Sequence, residues 1–555
     1  MARPAKGFAL SPEPRSFGSF ARGRQLAAGN FMFAGTLIED QGGDIWALSP
    51  ENISFQSEIH GFAWLDDLAA VGDLKTRTLA QTWAFDWIAQ FGKGTGPGWT
   101  PDLTGRRLIC LIHHAEFLLF GRNDTDRMAF FRSLTHQARY LALRWQTAAN
   151  GLPQFESICG LMYASLYLSG QKNLSERVSR SLGKACETHI GKTGDIKSRN
   201  PEELLEIFTL LTWTSATLND AEYPIPDALT SATARITPTL RALRHADGGL
   251  ARFHGGGRGI EGQLDQALAM SGVKQSQNNG LAMGFARLSG GRTSVIVDAA
   301  PPSDEIGSPV AHASTLAFEL TSGRRPVVVN CGSGVSFGTD WHRAGRATPS
   351  HSTLCLQGRS SARLGPLGRG RYEPLLDVPR NVPVRVTRAS DGLRFQAGHD
   401  GYLAHTGVTH ARTLELTTDG RAMAGEDLLI AIEDDQKTRF DDAILHDFPQ
   451  GIPFQVRFHL HPDVEAQLDL GGIAVSLALK SGELWVFRHD GSGDLRLEPS
   501  VYLEKNRLKP RATTQIVLSS TAKDHATRLR WSLSKAQDTP VSVRDLNRDG
   551  MDAVL

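Results

Sequence analysis

The sequence has 555 residues, with 60 Lys and Arg against 59 Asp and Glu, so its formal net charge is +1. A hydrophobic content of 40% and a charged content of 21% are typical of globular chains and exclude collagen, a disordered chain and a coiled coil. The near-neutral total argues against general attraction to nucleic acid or to a membrane surface. At about 100–200 residues per domain, the length predicts two to four domains.

The start of the sequence and its cysteines bear on the compartment. The first thirty residues are basic and interrupted by prolines, and they lack the apolar core of a secretory signal. The longest apolar stretches are too short to span a bilayer. The five cysteines form no CxxC pair and are interpreted as buried free thiols. We therefore expect a cytoplasmic protein without membrane insertion, with an unrecognised export route as the alternative.

Up to about residue 290 the apolar residues recur at helical spacing, as in TGRRLICLIHHAEFLLF. The run Asn200-Pro201-Glu202-Glu203 predicts a helix start, with Asn as the N-cap, Pro at the first position and Glu closing a capping box. Loops with Gly, Pro or Asn separate the helices. Many helix pairs in succession predict an α/α-toroid or an α-solenoid.

After residue 290 the pattern changes to short β-type runs such as TSVIVDAA, RPVVVN and FQVRFHLH, separated by turn signals. Many short strands at regular spacing predict an antiparallel β-sandwich. The predicted fold is therefore a multidomain α+β chain: a helical domain over 1–290, a sandwich over 291–540 and a polar tail over 541–555. The tail resembles the start of a calcium loop but stops before the required twelfth-position Glu, which favours a simple polar tail.

Four places concentrate groups capable of acid–base or metal chemistry. In the first, His254 and Arg258 flank three consecutive glycines, which would allow backbone to approach a ligand closely; a flexible inter-helix loop is the alternative. The second and third contain His312 and His351, each just before a strand. Two such histidines beside a side-chain oxygen could form a mixed metal site, although lone histidines are usually structural. The fourth is the sandwich set, comprising His399, Tyr402, His405, His410, His459 and His461.

Arginine is unevenly distributed. The chain has 46 Arg and 14 Lys, and ten of the Arg lie between residues 343 and 394. Only Glu373, Asp377 and Asp391 oppose them, so this segment carries a local charge of +7. Arg matches carboxylate and sulfate oxygens, and the segment lacks the aromatic interleaving of single-strand binders. An acidic small molecule or acidic glycan therefore fits better than nucleic acid, with a solvated face and a GC-rich genome as the alternatives.

Several stretches of the sequence together indicate a family resemblance. In order they are HGFAWLDDL, TGRRLI, RNPEELLE, RHADGGLARFHGGG, AHASTLAFELTSG, VVVNCG, RATPSHSTL, HDGY and VRFHLHP. This series resembles the heparinase II/III-like proteins, especially their alphaproteobacterial branch. The resemblance implies an α/α-toroid followed by a C-terminal antiparallel β-sandwich, and β-elimination on acidic polysaccharides or oligosaccharides that contain uronic acid. Such a reaction needs a neutralised carboxylate, a base for the C5 proton and an acid for the leaving oxygen.

The resemblance also assigns candidate residues. His312 aligns with the second histidine of a His-x-His-x-Asp stretch whose first position is Val310 here, and Asn330 stands where the family has Asp. Phe253 precedes His254 where the family has Tyr before His. The implied catalytic candidates are His254, His351, Arg258 and His312; the implied substrate-binding residues are Arg343, Arg346 and Tyr402. A structural zinc ion on His312, Asn330 and His351 is the one cofactor implied, and the chemistry requires none.

Two functions remain open. The first is a carbon–oxygen lyase acting on an acidic polysaccharide or oligosaccharide. The second is a non-catalytic acidic-glycan-binding or envelope-assembly protein with a degenerate site, because the phenol and the first histidine of the family pattern are replaced. Because the family's polymers lie outside the cytoplasm, the resemblance also implies the periplasm or cell envelope as an alternative location.

Overall fold

The computed structural model of the protein describes residues 4–40, 44–48, 52–274, 280–303, 310–367, 373–469, 471–505 and 507–537. The predicted polar tail at 541–555, with its calcium-loop-like sequence, lies outside these residues. In the described part of the chain, helices occupy the first half and strands dominate the second. The five cysteines are buried and free, as the sequence predicts.

Helices build the N-terminal part, together with one β-hairpin. The helices are α1 (Phe20–Ala27), α2 (Ile53–Gly61), α3 (Trp64–Val71), α4 (Leu74–Phe91), α5 (Pro101–His113), α6 (Ala115–Leu119), α7 (Asp124–Arg144), α8 (Leu152–Tyr167), α9 (Ser175–His189), α10 (Pro201–Asp220), α11 (Asp227–Ala242) and α12 (Gln263–Met270). The hairpin consists of β1 (Asn30–Phe33) and β2 (Thr36–Glu39). Among the described residues no helix is both long and apolar enough to cross a bilayer.

Helices α5 and α8 approach each other closely through two glycines. A Cβ added to Gly160 would lie 2.4 Å from the Cα of Gly105, and one added to Gly105 would lie 2.2 Å from the Glu156 carbonyl oxygen. Such distances leave no space for any side chain. Two glycines on facing helices therefore permit a backbone contact that holds the centre of the toroid together.

The start of α10 follows the sequence prediction in part. The Asn200 side chain accepts from the backbone N–H groups of Glu202 and Glu203, with Pro201 in the first turn. The predicted capping box is wrong, because both glutamates have other partners. Glu202 accepts from the Gly257 N–H at 2.8 Å and pairs with Lys505, while Glu203 accepts from the Leu152 N–H.

Two large antiparallel sheets and one small two-stranded sheet form the C-terminal part. The strands are β3 (Phe285–Gly290), β4 (Thr293–Asp298), β5 (Phe318–Ser322), β6 (Arg325–Val329), β7 (Leu354–Leu356), β8 (Arg363–Leu364), β9 (Leu375–Leu376), β10 (Val384–Arg388), β11 (Gly392–His399), β12 (Thr409–Thr417), β13 (Ala422–Ile430), β14 (Ile452–Leu460), β15 (Val464–Asp469), β16 (Ala474–Leu479), β17 (Leu484–His489), β18 (Asp494–Tyr502), β19 (Arg511–Ala522) and β20 (Ala526–Gln537). Three helices lie between strands: α13 (Thr339–Arg346), α14 (Leu403–Thr406) and α15 (Asp434–His446).

The two large sheets pack as a sandwich. One sheet has the strand order β10-β11-β12-β13-β20-β17-β16-β15, and the other β18-β19-β14-β6-β5-β4-β3 with β7 also paired to β14. Strand β14 alternates buried and half-buried residues, and its inward Phe454, Val456 and Phe458 join the core between the sheets. The predicted order of α/α-toroid followed by antiparallel β-sandwich is confirmed. The predicted boundaries at 290 and 540 stay predictions; α12 ends at Met270 and β3 begins at Phe285.

Candidate functional site: a buried histidine cluster beneath an interdomain cleft

Three of the candidate histidines meet where the two domains join. His254 comes from the loop after α11, His312 from the segment before β5 and His351 from the segment before β7. The His312 backbone N–H donates to His254 Nδ1 at 3.2 Å, and His312 Nδ1 lies 3.1 Å from His351 Nε2. Their exposed fractions are 0%, 3% and 2% respectively. We call these three residues the histidine cluster.

The hydrogen bonds define the tautomers of the histidine cluster. His254 Nδ1 accepts from a backbone N–H, so its proton is on Nε2, 3.3 Å from Asp298 Oδ2. His351 Nδ1 donates to the Ala347 carbonyl oxygen at 2.9 Å, so its Nε2 accepts from His312 Nδ1. His312 Nε2 is then an unprotonated, buried nitrogen that has no hydrogen-bond partner among the described residues.

Asp298 anchors the histidine cluster and ties the domains together. This fully buried carboxylate, at the end of β4, accepts hydrogen bonds from Arg199 and from the Ser314 hydroxyl and faces His254. Arg199 immediately precedes the N-cap of α10 and also donates to the carbonyl oxygens of Met283, Gly284, Ala300 and Pro301. The two partners of this buried charge pair come from the two domains. Loss of either partner would strongly destabilise the folded protein, because the other charge would remain buried and unpaired.

Burial controls the protonation of these groups. Desolvation lowers the pKa of His254 despite the neighbouring Asp298, lowers that of His312 far below its usual value and brings the pKa of His351 to about 4. Burial alone would raise the pKa of Asp298, but Arg199 and then His254 more than offset this and hold it well below the usual range. At neutral pH the histidines are uncharged and the aspartate is ionised.

The residues do not fit the zinc ion that the resemblance implies. His312 and His351 bond to each other, and the Asn330 side-chain oxygen accepts the Ser352 N–H at 3.0 Å. Asn330 also replaces an anionic ligand by a neutral amide, which binds zinc more weakly. No group of three His, Cys, Asp or Glu side chains within the described ranges is arranged to hold a metal ion.

A cleft of about 290 Å³ lies between the domains, and we call it the interdomain cleft. Its lining includes Phe17, Arg22, Asp67, Glu202, Arg252, Gly256, Gly257, Arg258, Tyr502, Glu504 and Lys505, but none of the histidine cluster. Two of its four basic side chains are already paired with acidic ones: Arg22 with Asp67 at 3.4 Å, and Lys505 with Glu202. Arg252 and Arg258 share one more distant partner, Asp247 Oδ2 at 4.0 Å from each, and are the cationic groups better placed for a ligand.

The glycine run packs closely against its neighbours in the fold. A Cβ on Gly256 would lie 2.5 Å from Asn200 Oδ1, and one on Gly255 would lie 3.1 Å from the Val310 Cβ. The Gly257 N–H donates to Glu202. The run lets the loop after α11 pack against the start of α10 and carries His254, in the left-handed region at φ 46°, into the interior.

The other predicted site residues lie apart from the histidine cluster or are buried. Arg258 is 47% exposed on the interdomain cleft, and Arg343 is 49% exposed and paired with Glu373. Arg346 is buried and donates to the carbonyl oxygens of Ala311 and Glu373. Tyr402 is buried, and its hydroxyl donates to the Leu354 carbonyl oxygen at 3.1 Å, which removes it from contact with a glycan.

The sandwich histidines also have structural partners. His410 lies 3.2 Å from His399 Nε2 and 2.9 Å from Asp427 Oδ1, in a network closed by Arg412. His459 contacts the Ser500 hydroxyl and the Pro349 carbonyl oxygen, while His461 packs against Tyr502. His405 is exposed. The spacing of His459 and His461 along one strand would suit a metal site, but in the structure each contacts a different neighbour. Arg369 and Arg371 of the arginine-rich segment lie outside the described residues.

Two important residues, Asp298 and Arg199, were not among the sequence candidates. A charged residue that ends the buried run SVIVD was the available signal for Asp298, because a carboxylate there requires a partner. Arg199 gave no signal beyond its place before a helix cap. Its 99-residue separation from Asp298 makes the pair a product of the tertiary fold.

The arrangement of toroid, sandwich and cleft defines a protein with a polysaccharide-lyase-like fold. The structure resembles the crystal structure of heparinase III with a TM-score of 0.71 at 12% identity, over 96% of this chain and 88% of that one. A mutant of heparan sulfate lyase HepC from Pedobacter heparinus gives a TM-score of 0.59 at 14% identity, over 95% and 84% of the two chains. Residues 273–532 match the family described as "Heparinase II/III-like, C-terminal". Residues 273–532 therefore form a heparinase II/III-like C-terminal domain, and the chain as a whole has the fold of these lyases.

A relative of higher identity carries a different kind of name. FtsZ-localized protein C of Caulobacter vibrioides (strain NA1000 / CB15N) is 29% identical over 528 residues, which make up 92% of this chain and 88% of that protein. The similarity thus extends through the toroid as well as the sandwich.

Proposed function

We propose that this protein is a non-catalytic binding protein of the division or envelope-assembly machinery, built on a lyase-type fold. The observation that carries the proposal is the state of the histidine cluster. Its three members are uncharged and almost completely buried; they bond to one another or to backbone, and His254 faces Asp298. A catalytic base must come within hydrogen-bond distance of the proton that it removes.

The loss of the phenol base supports the same proposal. Phe253, at the position that the resemblance assigns to a tyrosine, is 1% exposed and packs against Phe285. A ring in this place has neither a hydroxyl nor access to the interdomain cleft. The name of FtsZ-localized protein C records a localisation, and its similarity to nearly the whole chain favours a role of that kind here.

The first test is a lyase assay of the full chain. Incubation with glycosaminoglycans, alginate, pectin and bacterial exopolysaccharides, followed by ultraviolet absorbance of the unsaturated uronate, is expected to show no product while a heparinase control does. Product that disappears in a His254→Ala variant would overturn the proposal. Binding is tested separately, by co-sedimentation with purified FtsZ of the source organism and by calorimetry with the same glycans.

β-Elimination on uronic-acid-containing glycans is the second candidate function. The interdomain cleft favours it, because Arg252 and Arg258 are cationic groups that could hold a sugar carboxylate. We also propose that the protein carries out this binding function in the cytoplasm, the location that the sequence analysis predicts. An alkaline phosphatase fusion tests this: activity of the fusion would contradict the cytoplasmic location and favour the lyase.

A further inference from the structure

A second, smaller cavity lies at the same domain junction, on the sandwich side of Arg252. Its volume is about 90 Å³, and we call it the seam pocket. Its lining includes Asp247, Arg252, Arg258, Arg324, Asp463 and Lys480. The first three come from the loop after α11, and most of the others come from the β5–β6 and β16–β17 turns and the end of β14. Both domains therefore contribute charged groups to it.

The seam pocket carries an excess of positive charge. Five cationic side chains (Arg252, Arg258, Arg324, Arg325 and Lys480) face three carboxylates, which leaves two positive charges in excess. His461 adds none at neutral pH, because burial lowers its pKa to about 3. Two of the carboxylates are also shared with arginines outside the lining: Asp463 with Arg511 at 3.0 Å, and Glu504 with Arg507 at 3.3 Å.

Two arginines of the seam pocket lack hydrogen-bond acceptors. The Arg252 guanidinium lies over the Tyr502 ring at 5.7 Å and is 11% exposed. Its nearest carboxylate oxygen, Asp247 Oδ2, is 4.0 Å away, and Arg258 is at the same distance from that oxygen. Within the part of the chain that the structure describes, neither side chain donates a hydrogen bond. Arg252 is 11% exposed and Arg258 is 47% exposed, and the Asp247 carboxylate that both face lies beyond hydrogen-bond distance, so these two guanidinium groups are suited to an anionic ligand.

We propose that the seam pocket binds a tetrahedral oxyanion, either phosphate or sulfate, free or as the ester group of a larger molecule. The small volume of the seam pocket suits a compact group such as a single tetrahedral oxyanion. Arg252 and Arg258 would bind it from the loop after α11, and Arg324 and Lys480 from the sandwich. A bound oxyanion would therefore link the two domains. This inference does not depend on the proposed function, because the site includes no member of the histidine cluster.

Calorimetry on the full chain tests the site. The probes are inorganic phosphate, inorganic sulfate, glucose 6-phosphate and glucosamine 6-sulfate, at equal ionic strength with chloride as the reference anion. We expect saturable binding of at least one probe, and a Kd raised about tenfold by Arg324→Ser or Arg258→Ser, as for loss of one charge-assisted hydrogen bond. Preference for the esters identifies a ligand-borne group, and preference for the free ions identifies the ion itself; both support the site.

The matched control is Arg388→Ser, which removes the same charge from exposed strand β10 and is expected to leave Kd unchanged within about twofold. The thermal midpoint of each variant without ligand verifies that it is folded. Absence of binding by all four probes, or equal weakening by Arg388→Ser and Arg324→Ser, would refute the proposal. Neither result depends on lyase activity, so failure here is distinguishable from failure of the proposed function.

Discussion

At the residue scale, burial gives the candidate catalytic histidines a structural role. His254, His312 and His351 have the residue types of an acid–base site, yet each ring nitrogen with a partner contacts another buried group. Neutral, interlocked imidazoles of this kind specify how three segments meet. Asp298 beside the histidine cluster is ionised, and its pairing with Arg199 joins the two domains.

The first prediction concerns that pair. Asp298→Asn leaves the buried Arg199 without a counterion, so we expect the free energy of unfolding to fall by about 3–5 kcal/mol, measured by urea denaturation. Asp377→Asn is the control, because Asp377 pairs with Arg363 at a surface where both side chains are more than half exposed. Its expected cost is below about 1 kcal/mol. Similar costs for the two variants would contradict the role assigned to Asp298.

At the element scale, close helix contacts hold the toroid together. Helices α5 and α8 touch through the backbone at Gly105 and Gly160, whereas the neighbouring helix α9 has its own buried glycine, Gly183, in a roomier place. A Cβ on Gly183 would meet its nearest neighbours at 3.6 and 3.8 Å, which is ordinary van der Waals contact. Alanine substitution at Gly160 and at Gly183 therefore distinguishes the effect of helix propensity from the effect of close packing.

Substitution by alanine is expected to act in opposite directions at the two positions. Gly→Ala in a helix gains about 1 kcal/mol of propensity, but overpacking against backbone costs about 1–3 kcal/mol or more. With a contact of 2.4 Å, the steric cost wins at Gly160, so Gly160→Ala should lower the thermal midpoint. Gly183→Ala should leave it unchanged or raise it. A rise in both variants would mean that the α5–α8 contact is looser than described.

The sequence predicts most of the helices and strands, but fewer of the contacts made by the residues of the candidate site. Periodicity predicted the helices of the first half and the strands of the second, because buried apolar residues recur along a helix or a strand with the period of that element. The N-cap at Asn200 was predictable for the same reason, since a cap bonds within two or three residues. Glu202 bonds instead to Lys505, 303 residues away, and no local pattern records such a partner.

At the scale of the whole molecule, buried histidines make stability depend on pH. Burial lowers the pKa of His60 and His351 to about 4, and that of His113, His459 and His461 to about 3. In the unfolded chain these rings titrate near 6.5, so between about 6.5 and 4 the unfolded state binds more protons than the folded state. Stability is therefore complete above about pH 6.5 and decreases as the pH falls through this window.

We expect the free energy of unfolding, followed by tryptophan fluorescence in urea, to decrease continuously from about pH 7 to about pH 5. His459→Gln removes one contributor and should reduce the slope of this decrease. His405→Gln changes an exposed histidine and should leave the slope unaltered. A free energy of unfolding that is independent of pH in this range would show that the histidines bind protons equally in the folded and unfolded states, and so would contradict the lowered pKa values.

The sequence by itself determined the order of a helical toroid and an antiparallel sandwich, and the resemblance to the heparinase II/III-like proteins. Both follow from local patterns and short motifs, which can be recognised in the sequence without knowledge of tertiary contacts. Only the tertiary structure decided that His254, His312 and His351 meet and are buried, that Tyr402 bonds to backbone and that Arg258 alone of the predicted arginines reaches the interdomain cleft. Burial and pairing depend on contacts between residues far apart in sequence, and these contacts determine which side chains can meet a substrate.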